Sequence, residues 1–205
     1  KRRTAQAYFS LAKGGSFRAP HLTVDAGNQA ALLDRFGLAP QKFAALMPGA
    51  EFGPAKRWPS ESYAGLAREF MNKGLKVALF GSKNDRDVTA EIAALAPGVV
   101  DLAGQTRLED AIDLIAAARL AVSNDSGLMH VAAGVGTPIV AVYGSTSPEN
   151  TPPLAERREL VWLHLSCSPC HQKVCPLGHF NCLKTLQVGQ VAAAADRLLE
   201  LSAAA

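Results

Sequence analysis

The chain has 205 residues, of which 48% are hydrophobic, 19% charged and 6% aromatic, and its formal net charge at pH 7 is +3. Such a composition is globular and supports a substantial core. It is too mildly basic for a dedicated nucleic-acid binder, whose cations concentrate on one face, and it holds no run of about 18 apolar residues that would make a spanning helix.

The sequence opens on Lys1-Arg2-Arg3, and these residues do not read as a secretory signal. They read as a solvated helix start in a piece whose preceding part lies upstream. Residues 1–42 lack a regular pattern: a short amphipathic run (Tyr8, Phe9, Leu11, Ala12) stops at Gly14-Gly15, and a second helical stretch near Gln29–Phe36 is punctuated by Gly37 and Pro40. The expectation is the end of one unit plus a link into the next.

From Phe43 the rhythm becomes regular. Strands are expected at about 43–47, 75–80, 98–102, 119–123, 138–143 and 159–164. Helices are expected between them at about 60–73, 85–96, 107–118 and 126–135, with a last one near 187–202. Tyr63, Leu66, Ala67, Phe70 and Met71 fall on one helical stripe. Thr106 and Glu109 have capping-box spacing ahead of a helix expected to bury Leu108, Ala111, Ile112 and Ile115. Val77–Phe80 and Ile139–Val142 are apolar on both faces, as in a parallel sheet covered by helices on each side. The fold class is therefore α/β, a doubly wound Rossmann-like parallel sheet.

Ligands of such sheets bind beyond the carboxyl ends of the strands, so the residues just after each strand carry the information. After the first strand, Pro48–Pro59 forms a loop shaped by Gly and Pro that delivers Lys56 and Arg57 to this edge, where a cation suits phosphate. The bland alternative is a surface loop with a Trp packed beneath it. After the second strand, Gly81 permits close approach, and Asp85 can accept from ribose hydroxyls or simply cap the next helix. After the fourth, Asp125-Ser126-Gly127 opens a helix whose free N–H groups and dipole suit an anion, with His130 one turn further on. The same residues read equally as a capped helix with a packed histidine. After the fifth, Gly144-Ser145-Thr146-Ser147 brings hydroxyls to the edge, or makes a turn. No GxGxxG follows a strand and no GxxxxGK[ST] exists, which weighs against a dinucleotide dehydrogenase or a P-loop NTPase.

Cys167, Cys170, Cys175 and Cys182 crowd into one loop with His171 and His179. Metal-ligand spacing makes a structural zinc one reading, disulfides or free thiols another, and an iron–sulfur cluster a third.

Together, Pro48–Pro59, Leu79–Ser82, Val122–Ala133 and Pro138–Pro153 resemble glycosyltransferase family 9, the ADP-heptose:lipopolysaccharide heptosyltransferases. The resemblance implies GT-B architecture, with this chain as its C-terminal half. Residues 1–42 would then be a remnant of the N-terminal acceptor domain and the interdomain link. Residues 43–205 would be the donor-binding domain, with a Cys-rich loop at 166–182 and a closing helix at about 187–202. It implies inverting transfer of heptose from ADP-heptose to nascent lipopolysaccharide in inner-core assembly. Carried over residue by residue, Lys56 meets the donor phosphates and stabilises the leaving group, Asp85 lies near the adenosine ribose, and Thr106 lies beside the adenine. Asp125, Ser126, Gly127 and Leu128 cradle diphosphate and sugar, and His130 faces the donor. The catalytic base would belong to an N-terminal domain outside this chain, as would the acceptor surface.

The resemblance also implies that transfer needs no metal cofactor, so any metal in the cysteine cluster would be structural. It implies work in the cytoplasm at the inner face of the inner membrane, with peripheral membrane association and no nucleic-acid partner. Competing readings are another GT-B enzyme of nucleotide sugars, such as an epimerase, and a zinc-stabilised binding module without catalysis.

Overall fold

The computed structural model of the chain describes residues 18–203, so the expected run at Tyr8–Ala12 and the basic start at Lys1–Arg3 lie outside the described residues. In chain order the helices are α1 (Ala26–Arg35), α2 (Ser60–Asn72), α3 (Arg86–Leu95), α4 (Leu108–Ala117), α5 (Gly127–Gly134), α6 (Asn181–Lys184) and α7 (Val188–Ala203). The strands are β1 (Phe43–Met47), β2 (Lys76–Leu79), β3 (Val100–Asp101), β4 (Leu120–Asn124), β5 (Ile139–Val142) and β6 (Arg158–Val161). Single 3-10 turns at Pro54–Lys56 and Lys83–Asp85 follow β1 and β2.

The six strands form one sheet in the order β3-β2-β1-β4-β5-β6, and every pairing is parallel. The chain winds outward from β1 to one edge, then returns to β4 and winds to the other. The order therefore reverses between β1 and β4, and the crevice beyond their carboxyl ends is where such sheets hold ligands. Register places Met47 beside Ser123 at this point.

Both faces of the sheet are covered. Ala44, Leu46, Val77, Leu79, Val122 and Val140 point into one cluster with Tyr63, Leu66 and Phe70 of α2 and Val191, Ala195 and Leu198 of α7. Phe43, Ala45, Ala78, Phe80, Ala121 and Ala141 point the other way, against Leu114 and Ile115 of α4 and Met129 and Ala132 of α5. Alternation along each strand splits its apolar residues between two cores, so the central strands read as continuous apolar runs. Each fully buried Leu or Phe contributes roughly 1.5–3 kcal/mol by leaving water.

Residues 22–35, within the stretch expected to be a link, are tied firmly to α4 and α5. The Asp25 and Leu22 N–H groups donate to Asp113 Oδ1 (2.8 Å) and to the Gly134 carbonyl (2.9 Å). Asn28 Nδ2 donates to Asp113 Oδ2 (2.7 Å), and Gln29 Nε2 to the Asp113 carbonyl (2.7 Å). Asp113 is thus a satisfied buried carboxylate.

The start of α4 differs from expectation. The capping pair is Arg107 and Asp110, with the Arg107 N–H donating to Asp110 Oδ2 at 2.9 Å, not Thr106 and Glu109. This later start turns Leu108 outward to 58% exposure and leaves Ile112 half-buried, while Ala111, Leu114 and Ile115 fill the core. Asp110 wins because its carboxylate also meets the Arg107 guanidinium (3.4 Å) and Asn28 Nδ2 (3.1 Å).

Asn124, wholly buried at the end of β4, stitches β4 to the loop after β1. Its Oδ1 accepts from the Trp58 N–H and from Tyr63 Oη, both at 3.1 Å, and its Nδ2 donates to the Pro48 carbonyl at 2.7 Å. An Asn124→Ala chain is expected to lose about 3 kcal/mol of unfolding free energy, because buried donors and an acceptor are left without partners. A urea titration followed by Trp fluorescence measures the loss.

Candidate functional site

Two neighbouring groups of residues occupy the crevice at the β1/β4 switch point. The first is a pocket of about 440 Å³. It is lined by the apolar side chains of Met47, Phe80, Leu108, Leu128 and Val131 and by the polar ones of Glu51, Ser82, Asp85, Thr106 and Ser126. Apolar side chains suit a flat ring and the polar ones suit hydroxyl-bearing groups, the usual mixture in small-molecule sites.

The second group is an ion pair sealed beside this pocket. Lys56 Nζ lies 2.7 Å from Asp125 Oδ2, with side-chain exposures of 14% and 5%. The ammonium also donates to the Asp125 carbonyl (3.3 Å) and sits 4.9 Å above the Phe52 ring. Thr146 Oγ1 (2.7 Å) and Thr151 Oγ1 (3.3 Å) donate to the same Asp125 Oδ2. Among the described residues all three side-chain bonds land on Oδ2, so Oδ1 remains open to a ligand hydroxyl. The pair is oriented by hydroxyls and backbone, a condition for a buried ion pair to hold its geometry.

Between the two groups lies the N-terminus of α5. Ser126 is its N-cap, yet its side chain accepts no bond from the helix; Ser126 Oγ instead meets Ser123 Oγ at 3.1 Å. A Cβ placed on Gly127 would meet nothing within 4 Å, so the first turn is open to an approaching group. Uncapped N–H groups with the positive end of a helix dipole make this a place for an anion.

The structure therefore gathers Asp85, Thr106, Ser126, Gly127 and Leu128 around the pocket, and Lys56 with Asp125 beside it. His130 stays on the exposed side of α5, off the pocket wall, within electrostatic reach of Asp125 and Lys56. Desolvation by the surrounding protein holds its pKa below the ordinary imidazole value. Asp125 pulls that pKa up, and Lys56 pushes it further down.

Asp85 does more local work than the sequence suggests. Its Oδ2 accepts from the Ser82 N–H and from Ser82 Oγ, both at 2.8 Å, closing the 3-10 turn. A Cβ on Gly49 would approach it to 2.5 Å, and one on Gly81 to 2.8 Å. The close approach that Gly81 permits is thus made by the Asp85 side chain, which leans against both loops at the pocket.

Sequence reasoning missed Asn124 and Thr151, and saw Thr146 only as one of several hydroxyls. Asn124 hides inside a Ser-Asn-Asp-Ser run that reads as capping, and Thr151 lies remote in sequence from the aspartate it meets. Tyr143, also missed, donates to the Thr151 carbonyl at 2.7 Å and so fixes that loop. Burial, reinforced by the Asp125 charge, raises its pKa far enough to keep it a donor.

The zinc reading of the cysteines is not supported. Among the described residues no group of three or more His, Cys, Asp or Glu side chains is placed to hold a metal ion. All four cysteines are free thiols. Cys182 turns from α6 into the core, while Cys167, Cys170 and Cys175 stay half-buried in the loop. The Cys175 sulfur is occupied by the Phe180 N–H at 3.4 Å, and backbone N–H groups lower its pKa. Burial raises that of Cys182.

Comparison with known proteins places these features. The family model described as glycosyltransferase family 9 (heptosyltransferase) matches residues 4–181. Lipooligosaccharide heptosyltransferase 2 of Haemophilus influenzae is 46% identical over 154 residues, covering 70% of this chain and 44% of that protein. The solved ADP-heptose lipopolysaccharide heptosyltransferase II of Escherichia coli superposes with a TM-score of 0.80 at 36% identity, over 92% of this chain and 56% of that one. A glycosyltransferase family 9 structure from Veillonella parvula gives a TM-score of 0.83 at 25% identity, over 97% and 60%. The chain thus spans about half the length of the proteins it matches.

The electrostatics of the ion pair are testable through His130. By NMR its imidazole is expected to titrate below 6.5 and to be mostly neutral at pH 7. Lys56→Met should move the midpoint up, and Asp125→Asn should move it down, because one removes a repelling charge and the other an attracting one.

Proposed function

The chain belongs to glycosyltransferase family 9, the heptosyltransferases, and on that premise we propose that it is the donor-binding part of an enzyme that transfers heptose from ADP-heptose to nascent lipopolysaccharide in inner-core assembly. The observation that carries this reading is the juxtaposition of an apolar-and-polar pocket with an uncapped helix N-terminus and a half-buried lysine at one switch point. A nucleoside needs the first of these surroundings, and a diphosphate needs the second and third beside it.

In this reading the adenine lies on the Leu108 and Val131 side of the pocket beside Thr106, and the ribose turns its hydroxyls to Asp85. The diphosphate meets the first N–H groups of α5 and Lys56. An ammonium has three donors, and two of those of Lys56 are fixed on Asp125. The third is left for a phosphoryl oxygen. The sugar reaches Asp125 Oδ1 and the neighbourhood of Leu128 and His130.

Transfer breaks the bond between the sugar C1 and the β-phosphate oxygen, and the electron pair leaves with ADP. The acceptor hydroxyl oxygen forms the new bond at C1 from the opposite face and gives its proton to a base. That base is assigned to the part of the relatives this chain does not span, together with the acceptor surface. The charge appearing on departing ADP falls to Lys56 and the α5 terminus. These are preorganised donors at the place where charge develops, and transfer in this reading draws on no metal cofactor. Residues 43–205 form the donor unit, residues 1–42 belong to the join with the preceding one, and the whole enzyme works at the cytoplasmic face of the inner membrane.

Titration calorimetry tests the donor site. The folded chain is expected to bind ADP and ADP-heptose. Lys56→Ala should weaken ADP by about tenfold or more, the worth of a charge-assisted hydrogen bond, while leaving adenosine nearly unchanged. Equal losses for both ligands would reject the phosphate role of Lys56.

A further inference from the structure

Two carboxylates line the pocket, and the donor reading uses only Asp85. The other is Glu51, on the loop after β1. The two loops meet at Gly49, where a Cβ would come within 2.5 Å of the Asp85 carboxyl carbon and of its Oδ1. Gly49 stands two residues before Glu51, and both line the same pocket. The Asp85 carboxylate therefore rests against the loop that carries Glu51. Its bonds from the Ser82 N–H and Ser82 Oγ both land on Oδ2. Among the described residues Oδ1 takes none.

Neither carboxylate is paired with a cation. Among the described residues no ion pair reaches Glu51 or Asp85. The nearby cations are engaged elsewhere. Arg86 donates to the Ala103 and Gly104 carbonyls, each at 3.3 Å. Lys83 lies along Gly104, where a Cβ would meet its Cγ at 2.9 Å. Lys56 is held on Asp125. Arg107 does line the pocket, but its Nε and Nη2 face Asp110 at 3.5 Å and 3.4 Å.

A ribose hydroxyl is welcome in such surroundings, because it donates to a carboxylate. A phosphate on that oxygen removes the donor and brings up to about two negative charges. Sites that accept a phosphate there supply an arginine for it, whereas this one presents carboxylates without counter-charges. The apolar lining and the α5 terminus meet only base and diphosphate, so they do not tell the two kinds of nucleotide apart.

We propose that Glu51 is a specificity-determining residue which, together with Asp85, makes the ribose end of the pocket reject nucleotides phosphorylated on the 2′ or 3′ hydroxyl. The inference rests on the donor reading and adds the class of nucleotide that the site excludes.

Titration calorimetry of the 205-residue chain with ADP and with 2′-phosphoadenosine 5′-diphosphate tests this. The added phosphate should weaken binding by about tenfold or more at low salt. The gap should narrow in high salt, because Glu51 is exposed. Glu51→Gln should narrow it severalfold with ADP affinity little changed, and Glu51→Lys should close or reverse it. A merely structural Glu51 would move both ligands alike. Arg107→Ala should leave the gap in place, and thermal unfolding reports the fold of each variant. Equal affinity of the parent chain for both ligands overturns the proposal. So does tighter binding of the 2′-phosphate that Arg107→Ala abolishes, or a gap that both Glu51 variants leave unchanged while folded. A folded chain that binds neither ligand overturns the donor reading and this inference with it, whereas ADP binding without discrimination overturns this inference alone.

Discussion

The carboxamide of Asn124 is the constraint on which the rest of the site depends. It lies where the sheet reverses direction, and there two chain segments remote in sequence must hold a fixed separation. Its oxygen takes the Trp58 N–H and the Tyr63 hydroxyl, and its nitrogen gives to the Pro48 carbonyl. One side chain thus fixes both ends of the loop that carries Lys56. Trp58 then drives the exit of that loop into the core, with its indole N–H on the Leu186 carbonyl at 3.1 Å. Burial raises the pKa of Tyr63, so its phenol remains a donor to the amide. A carboxamide can serve here and a carboxylate cannot, because the site must both give and accept.

The ion pair one residue further on is costly in isolation. Removing two charges from water carries a penalty of several kcal/mol per ion, and the pair's attraction repays it only with good geometry. Thr146, Thr151 and the Asp125 carbonyl supply that geometry. What the pair gains is orientation. A lysine of this kind, free in water, would spend rotamer entropy on each ligand it met, whereas this one has already lost it on folding. An anion entering the crevice meets a fixed ammonium donor and the fixed N–H groups of α5, and neither must reorganise.

The sheet was legible in the sequence because its strands are buried on both faces. Val77–Phe80 and Ile139–Val142 leave no polar face to confuse with a helix, and the helices between them carry single apolar stripes. The strand ends were legible for the same reason, so Lys56, Asp85, Ser126 and Gly127 could be placed at the ligand edge. What escaped was decided by tertiary partners. The α4 cap shifted by one residue because Asn28, far away in sequence, adds a bond to Asp110 and not to Glu109. Asp85 looked like a ligand for a sugar, and its contact with Gly49 could not be read from spacing. The cysteines had metal-like spacing, but α6 turns Cys182 into the core while a backbone N–H takes the Cys175 sulfur.

The rim around the crevice has almost no regular structure, yet it is closed on itself. The Ser145 N–H donates to the Ala55 carbonyl, the Ala55 N–H to the Lys173 carbonyl, and the His171 N–H to the Ser145 carbonyl. Ser168 Oγ donates to the Gly144 carbonyl at 2.6 Å while accepting the Trp162 indole N–H at 2.8 Å. Loops after β1 and β5 are thereby bonded to each other and to the Cys-rich segment in a ring of backbone bonds. Loops at such an edge are otherwise the most mobile part of a domain. Bonding them together gives their polar groups partners without a sheet or a helix, and leaves the ligand edge free of secondary structure that would fill it. The Cys-rich segment therefore has a physical role that needs no metal. It is the third side of the ring that holds Lys56 and Thr146 at the distance the ion pair requires.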